Sequence, residues 1–418
     1  MNCQKALVIG GGIAGLMAAH VLSEHFQSVI VLEKDASVGV DFPRGGVPQG
    51  AHLHVLLKRG QKILKDLMPE IHDDFRACPS IDWAEDTVWE NRLGEFPRYP
   101  SPVRTRSMSR PLLESRIYSH VKQNPRISFE REEVAEIHID KKQVGFVRCR
   151  SQRILYADLV ILAGGQYFPM KRIFSQFPIE KVTEALPIGI TYRSMMFSEK
   201  SLSFAGFRQY YYQFSPPHDS LGAVISPVEG GRCVATIIEQ GARQEATPDF
   251  QGFLSLAAKV PGGKFLRIIE KGTPLSGMSF FQKPQMHMRR FHRIKNFPEN
   301  LLVLGDAFCS LNPVFGQGMT VALEQVRLLK EILGERKIKS SSFHDSSVQR
   351  VRLPFLLSKL GSDPRDGVAK RYLNQFTKRC QRSPKLHRRF LKVLHLEGSY
   401  GDLFDFYSLM AALFRRSL

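Results

Sequence analysis

The 418-residue sequence is poor in cysteine, and its six, Cys3, Cys78, Cys149, Cys233, Cys309 and Cys380, are scattered without a single C-x-x-C pair. That pattern argues against a structural zinc site and against a disulfide framework, and it suits a reducing cytoplasm. Tryptophan occurs only at positions 83 and 89. No stretch reaches the ~18 uncharged apolar residues that a spanning helix needs. There is no low-complexity tract and no repeat at a solenoid or propeller period. No G-x-S-x-G elbow is present, so hydrolase chemistry has no support. His52-Leu53-His54 supplies two imidazoles but no third ligand at metal spacing; these histidines are expected at the start of a helix over residues 53–67.

Acidic residues are also short, with Asp+Glu 40 against Lys+Arg 59. The imbalance concentrates in residues 346–418, which hold 15 Lys/Arg and 5 Asp/Glu. A helical, basic tail is expected there, either as a solvated surface or as a contact for an anionic membrane. Its apolar cluster over residues 403–414 fits packing on the body better than membrane docking.

What remains is an ordinary globular composition, 43% hydrophobic and 24% charged. Lys5–Ile9 reads as a buried strand, residues 13–25 as a helix and Ser28–Glu33 as a second strand. Gly10, Gly11, Gly12 and Gly15 interrupt the first apolar run, which fits a βαβ start and not a cleaved leader. Further helices are expected over residues 110–121 and 250–260. Strands are expected within residues 129–162 and over 188–195, 208–214, 223–228, 233–238 and 301–304.

The chemistry begins at Gly10-Gly11-Gly12-Ile13-Ala14-Gly15, a G-x-G-x-x-G between strand and helix. Its first glycine permits a tight turn, its second a close approach of backbone to pyrophosphate, and its third close helix packing. The helix start offers free N–H groups to phosphates. Glu33, followed by Lys34, ends the second strand where a carboxylate can accept from ribose hydroxyls. These features fit FAD and NAD equally. About 290 residues later come Gly305-Asp306-Ala307, Asn312-Pro313 and Gly316-Gln317-Gly318-Met319.

That second constellation resembles the later FAD fingerprint of flavin monooxygenases of the para-hydroxybenzoate hydroxylase fold. The resemblance covers most of residues 1–330 in motif order. It implies that Asp306 bonds a ribityl hydroxyl, that Pro313 lies beside the isoalloxazine ring, and that Gly316 to Met319 start a helix aimed at it. Such a helix start would stabilise the negative charge of reduced flavin. The segment Arg44-Gly45-Gly46-Val47 resembles the family's arginine-glycine run, with Arg44 on phosphate and Gly46 and Val47 near the ring. Arg110, in Arg110-Pro111-Leu112-Leu113-Glu114, resembles the family's second FAD-contacting arginine. The family's Asp-Gly pair, associated with NADPH, is degraded here to Gly164-Gly165, so NADPH or NADH would act either directly or through a partner reductase.

The implied fold is α/β. A discontinuous Rossmann-like FAD-binding domain (residues 1–75, 105–182 and 286–345) receives a β-rich substrate domain (76–104 and 183–285), and a helical C-terminal region (346–418) follows. The implied activity is monooxygenation by C4a-(hydro)peroxyflavin, hydroxylating or epoxidising an apolar small molecule with O₂ and with no side-chain nucleophile. Tyr210, Tyr211, Tyr212, Phe214, Phe280 and Phe281 are candidates for an apolar substrate wall. The alternative is a reductase of isoprenoid-like lipids, as in geranylgeranyl-reductase relatives. Halogenation is disfavoured because neither tryptophan sits in a W-x-W-x-I-P signature, and no nucleic-acid partner is expected. The location expected is cytoplasmic, peripheral to a membrane at most.

Overall fold

The structure is a computed structural model that describes residues 4–35, 45–216, 218–241, 245–335, 339–362 and 367–413. Its first layer is a five-stranded, wholly parallel sheet in the order Leu301–Val303, Leu159–Leu162, Lys5–Ile9, Ser28–Glu33, Ile127–Arg131. Strands buried on both faces must be apolar at nearly every position. Here Ala6 and Val8 face the helices Ile13–Leu22, Arg110–Lys122 and Gly318–Gly334, while Leu7 and Ile9 face the opposite core. A three-stranded antiparallel sheet, Val134–Asp140, Gln143–Cys149 and Ile154–Leu155, covers that opposite side.

The second large layer is an eight-stranded sheet. Its long members are Thr183–Ser198, Arg232–Gln240, Leu221–Val228 and Ser279–Arg289, with Gln209–Tyr212 and Thr87–Asn91 toward one edge. Cys309–Ser310 closes the other edge, so this sheet is stitched directly to the segment that follows Leu301–Val303.

Two expectations need correction here. The helix expected over residues 53–67 begins only at Lys58. Residues 53–57 stay outside it because tertiary hydrogen bonds hold the chain there: His52 Nδ1 meets Ser194 Oγ at 2.7 Å, and Leu53 N–H donates to Thr236 Oγ1 at 3.4 Å. His52 and His54 therefore precede the helix instead of starting it. Gly60, inside that helix, lets it cross Gly318–Gly334 closely; a Cβ there would fall 2.5 Å from Thr320 Oγ1.

The C-terminal helices Val368–Cys380 and Pro384–Leu394 dock on the body. Phe376, Leu386 and Leu391 form a core with Trp83, Trp89, Phe96 and Val103. Among the described residues no helix is long and apolar enough to cross a membrane.

Several histidines are buried as neutral acceptors. His344 Nε2 accepts from Val303 N–H at 3.0 Å, and His395 Nδ1 accepts from Lys58 N–H at 3.2 Å. Burial pushes both imidazoles down to about 3. Above pH ~6.5 these groups are neutral in the folded and unfolded chain alike. As pH falls below that value the unfolded chain takes up protons that the folded chain refuses, so stability is full above ~6.5 and drains away toward pH 3 to 4. A melting temperature measured from pH 7 to 4.5 should fall steadily. The slope should be shallower in His344→Phe, which removes one of the titrating groups, although that variant starts from a lower melting temperature.

Candidate functional site

The carboxyl ends of the parallel strands open onto one cavity of about 810 Å³. An open parallel sheet places ligands at this edge because the strand ends and the following helix starts point their free backbone groups there. The first turn is built on close approaches that only glycine allows. Gly10 has φ +103, and a Cβ on it would lie 2.5 Å from the Ala163 carbonyl oxygen. A Cβ on Gly15 would lie 1.8 Å from the Gly10 oxygen. Glu33 is fixed by the Gly11 N–H, which donates to Oε2 at 2.7 Å, and by the Asp35 N–H, which donates to Oε1 at 3.0 Å.

The second turn arrives against the first. Gly305, at φ +60, leaves only 3.0 Å between a notional Cβ and the Cβ of Ala14. Its N–H donates to the buried Gln325 Oε1 at 2.8 Å. Asn312 accepts from Val314 N–H and donates to Ser362 Oγ at 2.8 Å, which locks the Pro313–Phe315 turn. Gly316 then takes the left-handed conformation, φ +64, and turns the chain into the Gly318–Gly334 helix. Neither this helix nor Ile13–Leu22 has an acidic residue in its first turn, so both starts keep their partial positive charge.

The cavity is lined by Gly10, Gly12, Ile13, Ala14, Glu33, Lys34, Gly46, Val47, Arg110, Gly305, Asp306, Pro313, Gly316, Gly318 and Met319, all singled out in the sequence. Gly46 is held by its N–H to Asp35 Oδ2 at 2.8 Å. Arg110 starts a helix capped by Ser109, whose side chain accepts from the Leu112 N–H, and pairs with Glu114 at 3.1 Å. Gly15 packs beneath the turn and does not line the cavity. The side chain of Gln317 is turned away, donating to the Leu394 carbonyl at 3.3 Å. Arg44 lies outside the described residues. The groups present fit a dinucleotide: two helix starts, a held carboxylate and glycine surfaces that a side chain would fill.

The far wall is the eight-stranded sheet, and strand alternation decides which aromatics reach it. Phe281 pairs with Tyr192, and Thr236, Val224, Tyr211 and Trp89 form one cross-strand row. All of these line the cavity. The wall expected from the sequence is corrected accordingly. Only Tyr211 and Phe281 of that group belong to it. Tyr210 points to the other face and donates to Glu90, Tyr212 donates to Asp219, and Phe280 lies on the outer face with Arg193 at 5.8 Å. Phe214 is buried, with its ring against Gly222.

Sequence reasoning missed Tyr192, Gln209, Gln213, Thr236 and Lys283, because residues spread over four different strands and a strand end carry no local motif. It also missed the tail: Phe390 and Leu394 of the Pro384–Leu394 helix line the cavity, with the Phe390 ring tilted against Trp89 at 5.6 Å between centroids. Cys309 is fully buried, which raises its thiol well above the ordinary range, as befits a small core residue.

Comparison with known proteins agrees with this geometry. A family model for an NAD(P)-binding Rossmann-like domain matches residues 8–75, and a squalene epoxidase model matches residues 279–351. The chain is 29% identical over 350 residues to Protein Rv3254 of Mycobacterium tuberculosis, covering 79% of this chain and 73% of that protein. It is 20% identical to the FAD-dependent monooxygenase ntnA of a Nectria species, covering 84% of this chain but 47% of that longer protein. Among solved structures, the flavin-dependent brominase Bmp2 superposes with a TM-score of 0.67 over 98% of this chain and 96% of its own, at 12% identity, a likeness of fold alone.

The chain shares the fold of a flavin-dependent enzyme and resembles an FAD-dependent monooxygenase in sequence. In this protein the tail helix should matter to the site. Phe390→Ala should cost roughly 2 kcal/mol, below the full value for a buried Phe because the ring is only partly buried. It should also shift Trp emission to the red as Trp89 meets water, which fluorescence and chemical denaturation would measure together.

Proposed function

We propose that the protein is a monooxygenase that inserts one oxygen atom of O₂ into a mainly apolar small molecule, by hydroxylation or epoxidation. The observation that carries this reading is one cavity shared by both glycine turns and an aromatic wall. FAD, when bound, supplies the redox chemistry that activates O₂. The chain's own groups bind, orient and exclude water. Gly10, Gly12 and the start of the Ile13–Leu22 helix would take the pyrophosphate, with Lys34 and Arg110 as cations at the cavity wall, and Glu33 would take the ribose. Asp306 would take the ribityl chain, and Pro313 with the Gly318–Gly334 helix start would abut the ring. Trp89, Tyr192, Tyr211, Phe281 and Phe390 would hold the substrate away from water.

The electron donor is read as NADPH or NADH acting through a separate reductase. Gly164 stands where the resembling family has an acid, and the Phe168 ring fills that position; a Cβ on Gly164 would lie 2.5 Å from it. Slow anaerobic bleaching by either nucleotide alone supports this reading, and bleaching at turnover rates contradicts it.

Asp306→Ala and Glu33→Ala should each raise the FAD dissociation constant at least tenfold, about 1.4 kcal/mol, as followed by flavin fluorescence on titrating apoprotein. The activity itself is tested by O₂ uptake with a reducing system and a panel of alkenes and aromatics. Substrate-stimulated uptake with an oxygenated product supports a monooxygenase. A reduced product formed without O₂ favours the isoprenoid-reductase alternative.

A further inference from the structure

Lys283 is 4% exposed, yet it lines the cavity. Its Nζ donates to Gln166 Oε1 and to Ser310 Oγ, both at 2.5 Å, and Ser310 Oγ itself donates to Gln166 Oε1 at 3.1 Å. Both partners are neutral, and among the described residues no carboxylate stands within ion-pair range of this nitrogen, Asp306 acting on it only from farther off. A lysine nitrogen has four tetrahedral positions, one of them its own chain. The two hydrogen bonds use two more. The fourth is an unclaimed N–H if the group is an ammonium, or a free lone pair if it is an amine. Neither is stable when buried without a partner, since an uncompensated buried charge costs several kcal/mol.

The surroundings say where that partner would lie. Gln166 follows the Leu159–Leu162 strand, and Ser310 stands between Asp306 and Pro313, so both belong to the cofactor side. Lys283 itself follows Phe281 on the same face of its strand, and Phe281 is opposite Tyr192 on the aromatic wall. The lysine thus stands at the seam between the glycine turns and the wall. At the same wall the hydroxyls of Tyr192 and Tyr211 make no hydrogen bond to any described residue.

We propose that Lys283 is the anion-binding group of this cavity, receiving a delocalised negative charge carried by the reduced flavin or by an acidic substituent of an aromatic substrate. The inference rests on the proposed FAD site and deepens it. The ligand taken at this seam is then planar and mainly apolar, with one ionisable oxygen. Burial lowers the lysine's affinity for its proton, the charge of Asp306 offsets part of that, and an incoming anion restores more.

The test uses the FAD-loaded full-length protein and Lys283→Met, Lys283→Gln and Lys283→Arg, with FAD content measured from absorbance in each. In one arm sulfite is titrated into the oxidised protein. Its lone pair forms a bond to flavin N5 and the displaced electron pair settles on the N1–C2=O edge, so bleaching reports the stability of a flavin anion. In the other arm, 2-naphthoate and neutral naphthalene are titrated and followed by perturbation of the flavin spectrum. If the flavin carries the charge, Lys283→Met and Lys283→Gln weaken sulfite binding at least tenfold, while Lys283→Arg stays within threefold of the parent. If the substrate carries it, the same variants weaken 2-naphthoate at least tenfold and leave naphthalene unchanged. Full FAD content with neither anion affected overturns the proposal. Loss of FAD from Lys283→Met leaves the decision to Lys283→Gln, whose amide can still donate to Gln166 and Ser310. A parent protein that holds no FAD contradicts the cofactor site instead, so the two failures are told apart.

Discussion

The structure turns on a contact between two glycine-rich turns that are nearly three hundred residues apart. Gly305 sits tightly against Ala14, where a further methyl group would fall 3.0 Å from the Ala14 Cβ, and Gly10 sits against the Ala163 carbonyl with no space for one. Because the approaches are steric, they leave little freedom in how the strands Lys5–Ile9, Leu159–Leu162 and Leu301–Val303 end relative to one another. The carboxyl edge of the parallel sheet is therefore rigid. Two helix starts free of acidic residues point into the same space, and packed interiors transmit such a constraint because they deform little. The second sheet inherits its position from this edge: Cys309–Ser310, four residues past Gly305, is its terminal strand. The distance between cofactor cradle and aromatic wall is thus set by a very short piece of chain.

The parallel sheet and its turns were legible in the sequence because their signals are local. Ser28–Glu33 has the limits expected, since an apolar run bounded by polar residues and ending on the carboxylate has one sensible register. Glycines at Gly10, Gly305 and Gly316 mark positive φ, which side chains avoid. The helix expected from residue 53 was misplaced because Leu53, Leu56 and Leu57 have helical spacing, while the deciding forces come from Ser194 and Thr236, far away in sequence. The same blindness applies to the wall. All three of Tyr210, Tyr211 and Tyr212 were expected on the wall, but a strand sends Tyr211 one way and its two neighbours the other, and the pairing of Tyr211 with Val224 and Trp89 shows which way is the wall.

The basic tail illustrates a different limit. Its charge suggested a surface, and its outer residues do face solvent. Its inner residues, Phe390 and Leu394, instead complete the cavity, and Leu386 and Leu391 build a core with Trp83 and Trp89. Composition describes the exposed face of an amphipathic helix far better than the buried one, because the few apolar positions that matter are outnumbered by lysines and arginines. Lys283 was hidden for the opposite reason: a single lysine inside a strand reads as an edge or surface residue until its burial is seen.

The central claim, that both turns grip one FAD molecule, is tested most directly by hydrogen–deuterium exchange on the apoprotein with and without added FAD. Peptides covering residues 10–22 and residues 305–320 should gain protection together, at the same FAD concentration. Protection confined to the first of these, with the second exchanging as it does in the apoprotein, would contradict the account.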